Sequence, residues 1–275
     1  MKTRYLFIFC FLFVIGLVVK ASDYLLIPEN FFLHKGEMLR LHLQMAEYFD
    51  KQKEVDYQPA QPPKLFMHEG SKFVDLKGSI KDTGAVLLSY KMENSGLYLV
   101  ELTQSYPAVD IDRGAFIREL DEDGLTKLSE KANAGYQQDI RIKYIAYLKT
   151  LFIVDKPSGD VFKKEVGQEL ELIMDQNPYK LKYGDDITAT VKFKGKPLPN
   201  AHVDLLVKTS TGKVYPQRLI SDDGGHVFFK VSLEGNYLLR TINIEQSKSK
   251  DVDYEKWAAA YTFAFSNTGT LPPSY

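Results

Sequence analysis

The sequence predicts a mainly β protein with two β-sandwich domains and a helical insertion between them. Apolar and polar residues alternate in many short runs, similar motifs recur in the same order in both halves, and a helical period appears only between the halves. Of the 275 residues, 44% are hydrophobic and 13% are aromatic. A chain of this composition can bury a core, which excludes an intrinsically disordered protein.

The strands of the first half are clearest at residues 37–45. Leu39, Leu41 and Leu43 would lie on one face of this strand, and Arg40 and His42 on the other. Such alternation is typical of a half-buried strand. Less regular runs predict the other strands of this half, with candidates at residues 24–33, 38–46, 64–68, 72–76, 85–90 and 97–103.

The second half follows the same plan with a cleaner pattern. Ile187, Ala189 and Val191 alternate with threonine and lysine, and turn residues separate one short run from the next. Strands at this spacing, with turns every ~8–12 residues, are typical of a sandwich. The strands predicted here are residues 169–175, 187–194, 201–208, 227–231, 237–244 and 257–265.

A Gly-x-Tyr-Leu motif occurs late in each half, beginning at Gly96 and at Gly235. In immunoglobulin-like sandwiches, a tyrosine near the start of a late strand turns its hydroxyl back onto the backbone a few residues upstream, the tyrosine corner. We therefore expect Tyr98 and Tyr237 to form such corners. The alternative is that glycine followed by a strand recurs by chance in a β-rich chain.

The insertion is predicted from a change of period. Tyr136, Ile140, Tyr144, Tyr147, Leu148 and Leu151 are spaced like one face of a helix, and a shorter helix is expected around residues 115–120. The predicted organisation is a signal peptide at residues 1–21, an N-terminal sandwich at 22–112, a helical insertion at 113–152, a C-terminal sandwich at 153–266 and a tail at 267–275.

The N-terminus has the pattern of a secretory signal peptide. Lys2 and Arg4 precede an apolar run over residues 5–19, and Val19 and Ala21 supply the small residues that a signal peptidase reads. Removing Lys2, Arg4 and Lys20 from the 35 basic residues leaves 32 against 36 acidic ones. We expect a periplasmic or secreted, mildly acidic protein with no transmembrane helix in the mature chain and no general attraction to nucleic acid.

The single cysteine, Cys10, lies in the apolar run, so the mature chain would have no thiol and no disulfide. The sequence contains no Gly-x-Ser-x-Gly elbow, no phosphate-binding glycine loop and no His-Glu-x-x-His motif. Its five histidines do not follow ligand spacing. These observations predict a protein that is not an enzyme.

One acidic cluster has the spacing of a calcium-binding loop. Glu119, Asp121, Asp123 and Glu130 fall at positions 1, 3, 5 and 12 of the template, with a glycine at position 6. Position 1 is normally aspartate and position 8 normally aliphatic, where this chain has Thr126. A solvated helix–turn–helix is the favoured interpretation and calcium binding the alternative.

Several short motifs occur in one known order. They are residues 22–28, residues 36–43, Tyr144 with Tyr147, Lys149 and Leu151, residues 177–179, residues 184–185, residues 195–198, residues 223–224, residues 237–241 and residues 257–258. Together they resemble a bacterial exported domain of unknown function that is often described as the periplasmic component of a nickel/cobalt uptake system. The second half, with Gly-Lys-Pro-Leu-Pro-Asn-Ala at 195–201, is also similar to transthyretin-like or carboxypeptidase regulatory-type sandwiches.

The resemblance implies a transition-metal cofactor, nickel or cobalt, and a membrane transporter or outer-membrane receptor as partner. Members of that family typically begin the mature chain with histidine and aspartate, and a further histidine often follows the Arg-Thr of the late strand. The matching positions here are Ser22, Asp23 and Asn243. Only the aspartate is retained. Nickel and cobalt favour nitrogen ligands, and the two histidines that would supply them are replaced by serine and asparagine.

Three functions are compatible with these observations. The first is a non-enzymatic envelope accessory protein related to metal uptake. The second is a structural or binding module that holds a protein or glycan partner and has no role with metal. The third is a hydrolase with a pair of carboxylates, for which the sequence contains no supporting motif.

Overall fold

The computed structural model describes residues 23–46, 49, 53–54, 64–80 and 86–269. The predicted signal peptide and Ser22 lie outside these residues, as does the end of the predicted tail. The strands of the first half are β1 (Asp23–Pro28), β2 (Phe32–Leu33), β3 (Met38–Ala46), β4 (Lys53–Glu54), β5 (Lys64–Glu69), β6 (Lys72–Asp75), β7 (Leu88–Lys91), β8 (Gly96–Ser105) and β9 (Val109–Asp112).

Two helices follow, α1 (Arg113–Glu122) and α2 (Thr126–Asn133), and the chain then returns to strands. These are β10 (Asp139–Val154), β11 (Leu170–Met174), β12 (Asp186–Phe193), β13 (Lys196–Pro197), β14 (His202–Lys208), β15 (Val214–Ile220), β16 (His226–Lys230), β17 (Gly235–Gln246) and β18 (Tyr254–Phe265). Short 3-10 turns occur at Lys77–Ser79, Val161–Lys163 and Pro178–Lys180. The mainly β sandwich architecture expected from the sequence is confirmed.

One ten-stranded sheet runs through both halves of the protein. Its strand order is β15-β14-β17-β18-β10-β8-β5-β6, with β2 and β9 also paired to β10. β10 and β18 pair in parallel over residues 142–150 and 254–262, and this pairing joins the halves. We call this sheet the shared sheet. Each half adds a small sheet, β1-β3-β4 with β7 in the first and β11-β12-β13 with β16 in the second.

The two small sheets cover opposite faces of the shared sheet. On one face, the hydroxyl of Thr262 donates to the carbonyl oxygen of Leu26 in β1 at 2.6 Å. On the other, the side chain of Lys149 reaches Glu171 in β11. Because successive side chains of a strand alternate between its faces, β10 and β18 are buried on both sides. The centre of the molecule is therefore three layers thick.

The prediction of a helix through residues 136–151 is wrong, because residues 139–154 form β10. From Ala146 onward every side chain of β10 is buried, whichever face it lies on. A strand that is covered on both faces is apolar at nearly every position and does not alternate with polar residues. A continuous apolar run of this kind also contains the spacing of a helix face. The helical part of the insertion is limited to α1 and α2, which confirm the helix–turn–helix expected around residues 115–130.

The tyrosine corners are confirmed in both halves. The hydroxyl of Tyr98 donates to the carbonyl oxygen of Asn94 at 2.8 Å, and that of Tyr237 donates to Leu233 at 2.7 Å. Both tyrosines are buried, and the glycines two residues before them have φ of 158° and 153°. The local motif therefore has the same structural role twice.

Candidate functional site

The positions implied by the family resemblance are not assembled into one site. Asp23 is the first residue of β1 and pairs with Ala46. Its neighbour Tyr24 stacks on Tyr106, with ring centroids 4.4 Å apart. Tyr24 therefore lies on the face of the shared sheet that the first half covers. Asn243 pairs with Trp257 and, by strand alternation, lies on the opposite face.

The acidic residues of the calcium template are dispersed over the helices. Glu119 and Asp121 lie inside α1, Asp123 follows its last turn, and Glu130 lies in α2. The carboxylate of Glu119 is paired with the ammonium of Lys256. Within the described part of the chain, no group of three or more histidine, cysteine, aspartate or glutamate side chains could hold a metal ion.

The most unusual chemistry lies between the shared sheet and β11, where Lys149 and Glu171 form a buried ion pair. Lys149 is 1% exposed and Glu171 is 3% exposed. Lys149 Nζ lies 2.7 Å from Glu171 Oε1 and donates to the carbonyl oxygen of Leu172 at 3.0 Å. The backbone N–H groups of Val166 and Gly167 donate to the two oxygens of Glu171, at 2.6 Å and 3.2 Å.

A second buried pair continues this polar region along the shared sheet. His68 Nε2 and Glu101 Oε1 are 2.7 Å apart, and both side chains are buried. Extending the β8–β10 register from Leu99 and Leu151 places Glu101 beside Lys149. Gln168, from the segment before β11, also donates to Glu101 at 3.4 Å. We refer to Lys149, Glu171, Glu101, His68 and Gln168 as the buried polar cluster.

Burial controls the electrostatics of this cluster. Burial lowers the pKa of the Lys149 ammonium, whereas Glu171 and, more weakly, Glu101 act in the opposite direction. A buried ammonium is costly unless an acceptor compensates for its lost hydration. The Lys149 ammonium and the Glu171 carboxylate therefore compensate each other, and their contact ties β10 to β11.

Sequence reasoning did not assign a role to this cluster, although two signals were present. Lys149 stands in the apolar run Tyr147-Leu148-Lys149-Thr150-Leu151, and Glu171 lies between two leucines. A charged residue inside an otherwise buried strand needs a partner, and that need could have been inferred. The identity of the partner could not have been inferred, because it depends on packing between sheets.

A second charged cluster joins the helices to the other end of the shared sheet. The carboxylate of Asp204 accepts from Arg218 Nε at 2.7 Å and from Arg240 Nη2 at 2.8 Å. Arg218 also donates to the carbonyl oxygen of Glu122 in the last turn of α1. A cation is favourable there because helix C-termini carry partial negative charge. Burial lowers the pKa of Arg240 to about 10.

Asp123 lies next to this second cluster, and its pKa is raised. Burial raises the pKa of Asp123 to about 7, with Glu119 adding to the shift, while Lys256 and Arg218 oppose it. An aspartate in the unfolded chain has a pKa of about 3.9. The contribution of Asp123 to stability is therefore complete below about pH 4 and is lost as pH rises from about 4 to 7.

Replacing Asp123 with asparagine is expected to stabilise the protein at pH 8. The gain should be about 2 kcal/mol, less than the full pKa shift implies because the carboxyl group is partly exposed. It should shrink toward zero at pH 4, where the carboxyl group is neutral in both states. Urea unfolding of both proteins between pH 4 and pH 8 measures this difference, and a difference independent of pH would contradict the shifted pKa.

The profile of a family described as "Domain of unknown function (DUF4198)" matches residues 19–245. The chain belongs to this family. The DUF4198 match includes Lys149, Glu171, Glu101 and His68, so the buried polar cluster lies inside the family domain. Among curated proteins, no sequence matches this chain.

Solved structures of low identity align with most of this DUF4198 chain. The D0-D1 domain of intimin is 14% identical, with 89% of this chain and 98% of that chain covered and a TM-score of 0.21. A tetra-tandem repeat from the extending region of a large adhesion protein is 12% identical, covering 88% and 49%, with a TM-score of 0.21. Alpha-2-macroglobulin of Salmonella reacted with methylamine is 10% identical, covering 90% and 15%, with a TM-score of 0.22.

The described helices of this DUF4198 protein, α1 and α2, have 10 and 8 residues. In the portion of the chain that the structure describes, none is long and apolar enough to cross a membrane.

Proposed function

We propose that the protein is an exported, non-enzymatic structural module of the cell envelope that holds a protein partner. The observation that carries this proposal is that its buried charged side chains contact one another. Among the described residues, the buried lysine, histidine and glutamate side chains are His68, Glu101, Lys149 and Glu171, and they pair with one another. The Lys149–Glu171 pair fastens the small sheet of the second half onto the shared sheet, and the His68–Glu101 pair joins two strands within the shared sheet, as expected of a rigid support.

The ends of the sheets are the surfaces that we assign to the partner. β6 ends the shared sheet, and its side chains are all exposed, including Phe73 at 65%. β16 ends the small sheet of the second half and exposes Phe228 at 61%. Strands at the end of a sheet offer unpaired backbone groups beside their side chains, which another chain can bind.

In this proposal, the protein is related to nickel or cobalt uptake through the partner that it contacts. Serine at 22 and asparagine at 243 stand where the resembling family often has histidines, and Asn243 lies beside Trp257. Imidazole nitrogen is a preferred ligand of nickel and cobalt, and neither side chain supplies it. We therefore assign the module a role in contacting a membrane transporter or outer-membrane receptor and no role in carrying metal.

Photocrosslinking in the intact envelope tests the partner. A photoreactive phenylalanine is placed at Phe73 or at Phe228, and the matched control carries it at Tyr136, which is exposed but lies between α2 and β10. We expect one defined adduct with an envelope protein from an edge position and none from position 136. Failure of both edge positions, or equal labelling at position 136, would contradict the proposal.

Calorimetry with nickel and cobalt tests the second half of the proposal. Untagged mature protein should release no binding heat at micromolar metal. Saturable binding at that concentration would show direct metal carriage and would replace the structural role with a transport role.

A further inference from the structure

The buried polar cluster contains the parts of a covalent reaction. Lys149 supplies an amine, and Glu171 supplies a carboxyl group whose Oε1 lies 2.7 Å from Lys149 Nζ. Two backbone N–H groups, of Val166 and Gly167, point at the oxygens of that carboxyl group. Glu101 lies opposite Lys149 on the neighbouring strand, and its carboxylate contacts His68 and Gln168. A nucleophile, an electrophile, oxyanion donors and a proton relay thus meet at one place.

We propose that Lys149 and Glu171 condense to an intramolecular amide that joins the shared sheet to β11. One proton passes from the ammonium to the Glu171 carboxylate, which gives an amine and a carboxylic acid. The amine lone pair attacks Cδ, and the N–C bond forms. Glu101 takes a proton from the attacking nitrogen and delivers it to the departing hydroxyl group. The C–O bond breaks, one water leaves, and Glu101 is again a carboxylate.

Burial supplies the driving force for this condensation. An ion pair held away from water carries the dehydration cost of two charges, whereas an amide is neutral. The amide oxygen retains a backbone N–H donor, and the amide N–H can donate to the carbonyl oxygen of Leu172, which Lys149 already contacts at 3.0 Å. The fold also holds the two groups together continuously, which replaces a bimolecular encounter with an intramolecular one.

Two surface ion pairs among the described residues lack this burial. Lys192 and Glu165 are 2.5 Å apart, and Lys194 and Glu245 are 2.6 Å apart, but these side chains are 21% to 56% exposed. Water hydrates the charged groups of an exposed pair, so condensing them to a neutral amide would relieve no dehydration cost. We therefore expect the amide at Lys149 and Glu171 and not at these surface pairs, which serve as internal controls.

Intact-mass spectrometry of the denatured full chain tests the proposal. The N-terminus of the purified protein is identified first, so that the mass expected from the sequence is fixed. The wild type should be about 18 Da lighter than that mass, the loss of one water. Lys149→Arg and Glu101→Gln should each have the full mass of their own sequences, and Lys192→Arg should keep the deficit.

Tandem spectrometry locates the bond. Trypsin should fail to cleave after Lys149, and one branched peptide should contain both Lys149 and Glu171. The wild type at its full expected mass overturns the proposal without any variant having to fold. A deficit that persists in Lys149→Arg overturns it as well, because water would then be lost elsewhere.

Discussion

Replacing Lys149 with methionine is expected to lower the free energy of unfolding by about 3–5 kcal/mol, because it leaves the Glu171 carboxylate buried without its cation. The methionine fills similar space, so the lost compensation of charge dominates over the change in packing. Urea unfolding followed by circular dichroism measures the loss. This is one of the two largest effects that we expect from a single substitution.

Two matched variants separate charge from packing. Lys149→Met combined with Glu171→Gln should recover the part of the loss that the unpaired carboxylate causes, since glutamine is neutral and its oxygen can still accept from Val166 or Gly167. Lys192→Met, which breaks the surface pair with Glu165, should cost no more than about 1 kcal/mol. Equal losses in the Lys149 and Lys192 variants would contradict the role of burial.

Replacing Gly235 with alanine is expected to cost about 3–4 kcal/mol. A Cβ at this position would lie 2.3 Å from the backbone carbonyl oxygen of Lys208, in the adjacent strand β14. Backbone atoms of a paired strand cannot move aside as a flexible side chain can, so clash and backbone strain both contribute. Thermal and urea unfolding of the variant measure the cost.

Gly96 supplies the matched control, because it has the same place in the other tyrosine corner. Its φ of 158° resembles that of Gly235, but an added Cβ would meet nothing closer than Ser158 O at 3.6 Å. Gly96→Ala should therefore cost only about 1–2 kcal/mol, the strain without the clash. If both alanine variants lost the same stability, the close approach to β14 would not be the cause.

Local pattern was sufficient to predict much of the β architecture. Most strands of the second half lie within a few residues of the expected ranges, and both tyrosine corners form, because each depends on residues near one another in sequence. No bounds were predicted for β15, since its side chains are mostly exposed and Pro216 interrupts its pattern. A strand at the end of a sheet need not carry the alternation that burial imposes.

The errors have a common physical origin in burial on two faces. β10 lost its alternation because both of its faces are covered, so its spacing matched a helix. The partner of Lys149 lies 22 residues away in another sheet, and no local spacing encodes that contact. For the candidate site, the sequence could indicate that buried charges need partners, but packing between sheets selects which residues meet.

The parallel pairing of β10 with β18 has a consequence for how the protein folds. The predicted boundary between the insertion and the C-terminal sandwich, at residues 152 and 153, falls inside β10, and one partner of β10, β18, is the last strand of the described chain. Neither half can complete its sheet until the segment around residue 262 has been synthesised. Because the shared sheet is complete only when these two distant strands have paired, we expect the protein to fold slowly. We also expect both halves to unfold in a single cooperative transition.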